Sequence, residues 1–166
     1  MFEMRRWTHP AAPAGAMRIG RRGSGEDDPA GALWWPGTRT DACMLYLHGH
    51  GAGADQPFVR RDIRDAWLPA VRKLGLGVLS PELGPTHWMG PQAARSLRRL
   101  LAWVRDGLGI EAVHAVAGSM GATAALTYAV LHPEDIRSVA ALCPATDIGA
   151  YHDWCAAHPG GVRDEI

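Results

Sequence analysis

Ser119 stands in the run Val113-His114-Ala115-Val116-Ala117-Gly118-Ser119-Met120-Gly121-Ala122, with small residues on either side. The residues before it favour a strand and those from Ala122 to Leu131 favour a helix, so the chain must turn sharply with the serine at the apex. Small neighbours suit a backbone that is strained there and passes close to adjacent strands. The pattern is G-x-S-x-G with Ala117 in place of the first glycine. A hydroxyl presented in this way is a candidate nucleophile for acyl transfer. The plainer alternative is a glycine-rich connection between a strand and a helix.

A second segment bears on the choice. Cys43-Met44-Leu45-Tyr46-Leu47 reads as a buried strand running into the glycine-rich loop His48-Gly49-His50-Gly51-Ala52-Gly53. Acyl transfer through a serine needs two backbone N–H groups to hold the oxyanion. One comes from the residue after the nucleophile and one from the loop after a neighbouring strand. Met120 supplies the first on this reading, and Gly49 or His50 the second.

His48-Gly49-His50-Gly51 followed by Ala117-Gly118-Ser119-Met120-Gly121, in this order and separation, resembles the α/β-hydrolase superfamily. The closest flavour is that of small esterases and prolyl-oligopeptidase-like hydrolases. His87-Trp88-Met89-Gly90-Pro91 looks like a segment found in some bacterial members. The resemblance covers roughly residues 31 to 148. It implies hydrolysis of a carboxylic ester or related acyl bond through an acyl-serine intermediate, on a small-molecule substrate and with no cofactor.

A serine hydroxyl is a poor nucleophile until a base takes its proton, and the base needs an orienting acid. The family order is Ser, then Asp or Glu, then His. In the resembled family the acid usually follows the strand after the one ending near Leu142, and the histidine one strand later. The chain therefore reads as a hydrolase domain cut off before its acid and base. Inside residues 1–166 the candidates are Asp147 for the acid and His152 or His158 for the base. Their plainer readings are a loop cap for Asp147 and surface or lid histidines for the other two. A non-catalytic remnant or binding module is the alternative function.

Other residues near these motifs invite roles of their own. His48 is expected to brace the oxyanion loop, and His50 to matter through its backbone N–H. Trp88 and Met89 either line an acyl pocket or pack their loop onto the sheet. A zinc site built from His48, His50 and His87 is the metal alternative, since imidazoles suit zinc.

The elements that must position these groups follow from hydrophobic periodicity. Met17-Arg18-Ile19 and Ala32-Leu33-Trp34-Trp35 suit antiparallel opening strands within an otherwise irregular segment 1–30, and 23–28 reads as a turn. Strands are expected at 43–47, 76–79, 111–117 and 138–142. A helix over about 60–74 carries Ile63, Trp67, Val71 and Leu74 on one face, with Pro69 predicting a kink or late start. A helix over about 92–106 buries Leu97, Leu100, Leu101 and Val104 and leaves Arg95, Arg98, Arg99 and Arg105 mostly outside. The helix 120–131 is apolar nearly all round, and His132-Pro133 ends it. This alternation predicts an α/β fold, a mainly parallel sheet with helices on both faces; the resemblance implies an α/β-hydrolase fold lacking its C-terminal strands. Ligands bind such sheets at the carboxyl ends of the strands, where His48–His50, Ser119 and Asp147 all fall. The last strand is then an open edge suited to self-association.

At 166 residues and 47% hydrophobic the chain suits one domain. Seventeen basic and seventeen acidic residues cancel, which gives no bulk electrostatic case for nucleic acid or an anionic membrane. Lys73 is the single lysine, a bias that reads as genome composition. No apolar run approaches the roughly 20 residues that span a bilayer. The N-terminus lacks the apolar core of a secretory signal. Cys43 and Cys143 read as small hydrophobes in or beside core strands, and Cys155 as part of a polar tail. A reduced, cytoplasmic protein is the expectation.

Overall fold

The computed structural model describes residues 1–23 and 31–158. The chain opens with three strands, β1 (Phe2–Arg6), β2 (Met17–Arg21) and β3 (Ala32–Trp35), paired antiparallel in sequence. It continues through β4 (Ala42–Leu47) and three short helices, α1 (Gln56–Val59), α2 (Arg61–Arg64) and α3 (Trp67–Lys73). Then come β5 (Gly77–Pro81), α4 (Pro91–Leu108), β6 (Ala112–Gly118), α5 (Met120–Leu131), β7 (Ser138–Leu142) and α6 (Ile148–Ala157). The seven strands form one sheet in the order β1-β2-β3-β5-β4-β6-β7. The four strands β5, β4, β6 and β7 are mutually parallel, and β3 joins them antiparallel to β5.

Both faces of the sheet are covered because its central strand is apolar at every position. Side chains alternate across a strand. Cys43, Leu45 and Leu47 therefore meet one cluster, with Leu97, Leu100 and Leu101 of α4 and Ala122 and Tyr128 of α5. Met44 and Tyr46 meet the other, with Phe58, Ile63, Leu68 and Val71 of α1 to α3. Each large aliphatic side chain buried in this way contributes about 1.5–3 kcal/mol of transfer free energy.

Several expectations need correction. The helix expected over 60–74 is two pieces, α2 and α3, preceded by α1. Arg60 is extended (φ −79°, ψ 117°) between α1 and α2. Pro69 falls in the first turn of α3, where its missing N–H costs nothing and its ring meets no preceding turn. The break rephases the apolar face, so Leu68 is buried and Leu74 is 66% exposed. On α5 burial is continuous only through Ala125 and returns at Tyr128, while Val130 and Leu131 are exposed. The tail is not irregular: Asp147 accepts a hydrogen bond from the Ala150 N–H at 2.8 Å and starts α6. That helix turns Cys155 inward and leaves Cys143 exposed, the reverse of the reading from sequence. The strand β1 was also not foreseen. The turn read at 23–28 lies, except for Gly23, outside the described residues.

Candidate active site at the carboxyl edge of the sheet

The sequence places a serine between β6 and α5, and the structure holds it at φ 56°, ψ −130°. A non-glycine residue in this region costs of order 1–3 kcal/mol and persists only where its surroundings fix it. Here the fixing is visible. The Ser119 N–H donates to the Leu142 carbonyl at 2.9 Å, and the Ser119 carbonyl accepts from Ala122 (2.9 Å) and Thr123 (3.1 Å). Gly121 passes so close to β4 that a Cβ would clash with the Leu47 carbonyl oxygen and lie 2.7 Å from that of His48. The first turn of α5 is thereby pressed against the loop after β4. Ser119 itself is exposed. The N–H of Met120, at the first position of α5, has no acceptor within the helix.

The loop after β4 is braced from beneath. His48 is fully buried, with Nδ1 3.0 Å from the Gly49 carbonyl and Nε2 2.6 Å from the Glu82 carbonyl. The ring ties the β4 loop to the β5 loop, as its expected bracing role requires. Gln56 supports the same loop: its Oε1 accepts from the Gly49 N–H at 2.9 Å and from the Tyr46 hydroxyl at 2.8 Å. The Gly49 N–H is committed to Gln56. Glu82 adds a carboxylate contact to the Ala54 N–H at 3.1 Å.

The β5 loop is strained along its length, with positive φ at Leu83 (49°), Trp88 (37°) and Met89 (59°). Met89 is buried in the core cluster beside α4, so it packs the loop onto the sheet rather than lining a pocket. The Met89 N–H donates to His87 Nδ1 at 3.3 Å. The proton of a neutral His87 therefore sits on Nε2, which is buried without a hydrogen-bond partner. Burial, with His48 4.8 Å away edge-on, pushes the His87 pKa down to about 4. Trp88 turns outward against Tyr151 of α6, ring centroids 5.9 Å apart. In the strand order β5-β4-β6-β7, this contact joins loops on either side of Ser119 and His50.

The candidate acid and bases are not brought to the serine. The Asp147 carboxylate caps α6. His152 Nδ1 lies 3.2 Å from Asp153 Oδ1, and His158 Nδ1 lies 2.7 Å from the Trp154 carbonyl, its ring stacked on Trp154. Among the described residues no side chain hydrogen-bonds to the Ser119 hydroxyl. His48, His50 and His87 do not converge as a metal set. The one three-residue group that does, among the described residues, is His132, Glu134 and Asp135. There both Asp135 oxygens are already taken, by the Tyr128 hydroxyl (2.7 Å) and by Arg105 (2.6 Å). Burial pushes the Asp135 pKa up, but these two partners outweigh it and hold the carboxyl low.

Gln56, Glu82 and Tyr151 were missed in the sequence. Only Gln56 left a trace there, as a polar side chain beside Pro57 directly after the glycine-rich loop.

A strained serine between strand and helix, beside a braced glycine-rich loop on a sheet of this order, defines an α/β-hydrolase site. Comparison agrees: residues 21–159 match the family model of the alpha/beta hydrolase fold, and the chain belongs to that family. Among solved structures it is similar to the esterase Pf2001 of Pyrococcus furiosus (TM-score 0.58, 17% identity, covering 74% of this chain and 49% of that one). It is also similar to the lipase BlEst2 of Bacillus licheniformis in mature form (0.58, 15%, 79% and 54%). A third is Est1E from Butyrivibrio proteoclasticus (0.58, 11%, 85% and 52%). At these identities the likeness is one of fold. The chain spans about half the length of each. No curated protein matches the chain by sequence.

Proposed function

We propose that the chain carries the nucleophile half of a serine hydrolase acting on a carboxylic ester or related acyl bond. The observation that carries the reading is Ser119, exposed at positive φ with α5 pressed against the β4 loop. In this reading Ser119 Oγ adds to the carbonyl carbon while a base accepts its proton. The Met120 and His50 N–H groups hold the oxyanion as the tetrahedral intermediate forms. Its collapse expels the alcohol, which takes the proton from the base, and water then releases the acid by the same steps in reverse order of partners. Trp88 borders the bound substrate. Asp147, His152 and His158 are engaged elsewhere, and none of them serves as the triad acid or base in this reading. No described helix is long and apolar enough to cross a membrane, and all three cysteines are free. The free thiols support action in a reducing compartment such as the cytoplasm.

A second reading is a binding module that keeps the elbow without turnover, favoured over a self-sufficient enzyme by the engagement of those three side chains with other partners. Kinetics with p-nitrophenyl acetate test the proposal. Residues 1–166 should turn over no faster than their Ser119→Ala variant. Rapid hydrolysis abolished by Ser119→Ala and also by His152→Ala or His158→Ala would overturn it, because the tail would then complete the triad.

A further inference from the structure

We infer that the chain binds a small aromatic monocarboxylate in a cavity beside α1 to α3, separate from Ser119 and independent of the hydrolase reading. The cavity measures about 200 Å³ and opens between the β1–β2 connection, Trp35 of β3 and the three helices. Its walls are mainly apolar, with Trp35, Phe58, Leu68 and Pro69 the larger contributors, and its charged residues are Arg64 and Arg72. Neither Ser119 nor the loop after β4 lines it.

The walls are held in place. The Trp35 indole N–H donates to the Ala14 carbonyl at 3.1 Å, and Phe58 meets the Trp35 ring edge-on, centroids 6.3 Å apart. The Arg72 guanidinium lies over the same ring, 4.2 Å from its centroid, and donates to the Pro36 carbonyl at 2.5 Å. Walls fixed in this way lower the ordering cost of binding. Charge then selects the ligand. Arg64 forks onto Asp65 at 2.7 and 3.2 Å, so that pair is neutral and Arg64 lends the cavity its methylene stem. Both of these partners of Arg72 are uncharged, and no carboxylate among the described residues lines the cavity. The Arg72 charge therefore stands at an otherwise apolar site. A guanidinium presents its N–H donors as a fixed fork, and those not used on Pro36 suit one carboxylate. A neutral molecule leaves the charge unmatched, and a dianion brings an unpaired charge against apolar walls. Volume sets the rest of the ligand. A cavity of about 150 Å³ admits benzene, whereas drug-sized ligands occupy about 300 Å³ or more. One ring carrying one carboxylate fits between these limits.

Titration calorimetry of the full chain with benzoate at low salt tests the inference. Benzamide keeps the ring without the charge, and acetate keeps the charge without the ring. Arg72→Met keeps the stem, while Arg98→Met removes a charge from α4, on the opposite face of the sheet. Benzoate should bind saturably, with benzamide and acetate each weaker by about tenfold or more. Arg72→Met should weaken benzoate about tenfold and change benzamide less than about twofold, and Arg98→Met should leave both within about twofold. Four results would overturn the inference: no saturable benzoate binding; acetate binding as tightly as benzoate, which would make Arg72 a bare anion contact; benzamide binding as tightly, which would leave the charge without a role; or benzoate affinity unchanged by Arg72→Met, which would place the ligand elsewhere, the Ser119 edge included.

Discussion

Gly121 and Gly118 flank the same serine yet face different constraints. A methyl group at Gly121 has no room against the Leu47 and His48 carbonyls, whereas at Gly118 it would meet only the Leu142 oxygen at 3.8 Å. Gly121→Ala should therefore cost about 1–3 kcal/mol through overpacking, and Gly118→Ala less than about 1 kcal/mol, as read from urea unfolding midpoints. His87 makes a pH prediction. Its folded pKa is about 4 against an ordinary 6.5, so between these values the unfolded chain binds more protons than the folded one. Stability must then fall as pH drops from 6.5 toward 4, by about 3 kcal/mol if this group acted alone. Replacing His87 with glutamine should flatten the profile over that window, and an unchanged slope would assign it elsewhere. At this scale the serine and its glycines were legible in the sequence, since their spacing encodes one local turn. The Gly49–Gln56 bond and the orphaned His87 Nε2 were not, because each depends on how two loops meet after folding.

Asp147 separates two roles at the scale of an element. As the N-cap of α6 it satisfies the Ala150 N–H, and Asp147→Ala should remove about 1 kcal/mol from that helix. The loss would appear as faster amide exchange confined to 148–157. Asparagine caps equally well, so Asp147→Asn should leave α6 protected. Unprotected α6 in both variants would show that the charge, not the cap, matters. α4, α5 and the strands β4 to β6 were readable from periodicity because each buries a stripe or run, and β7 from its apolar run at 139–142. The helical region 56–73 was not, since extended Arg60 and the break at Asp65 and Ala66 divide it. α6 hid behind polar residues, although Ile148, Tyr151 and Cys155 keep helical spacing and Cys155 is buried.

At the scale of the whole molecule, the sheet ends on β7, whose Ser138, Ala140 and Leu142 are exposed. An uncovered strand edge with apolar side chains favours pairing with another chain. Residues 1–166 should self-associate in light scattering, and Ala140→Lys should shift them toward monomer; a monomer at high concentration without that substitution would contradict this. The elbow was legible because it is one local turn, whereas the partners of a serine hydroxyl are set by how distant parts of the chain meet after folding. Supplying a base from solution tests the proposed nucleophile most directly. With a fluorophosphonate probe and peptide mass spectrometry, labelling of Ser119 should be near background alone, rise saturably with added imidazole, and vanish in Ser119→Ala. Labelling of Ser119 that is rapid without imidazole, or a label that rises equally in Ser119→Ala, would contradict the account.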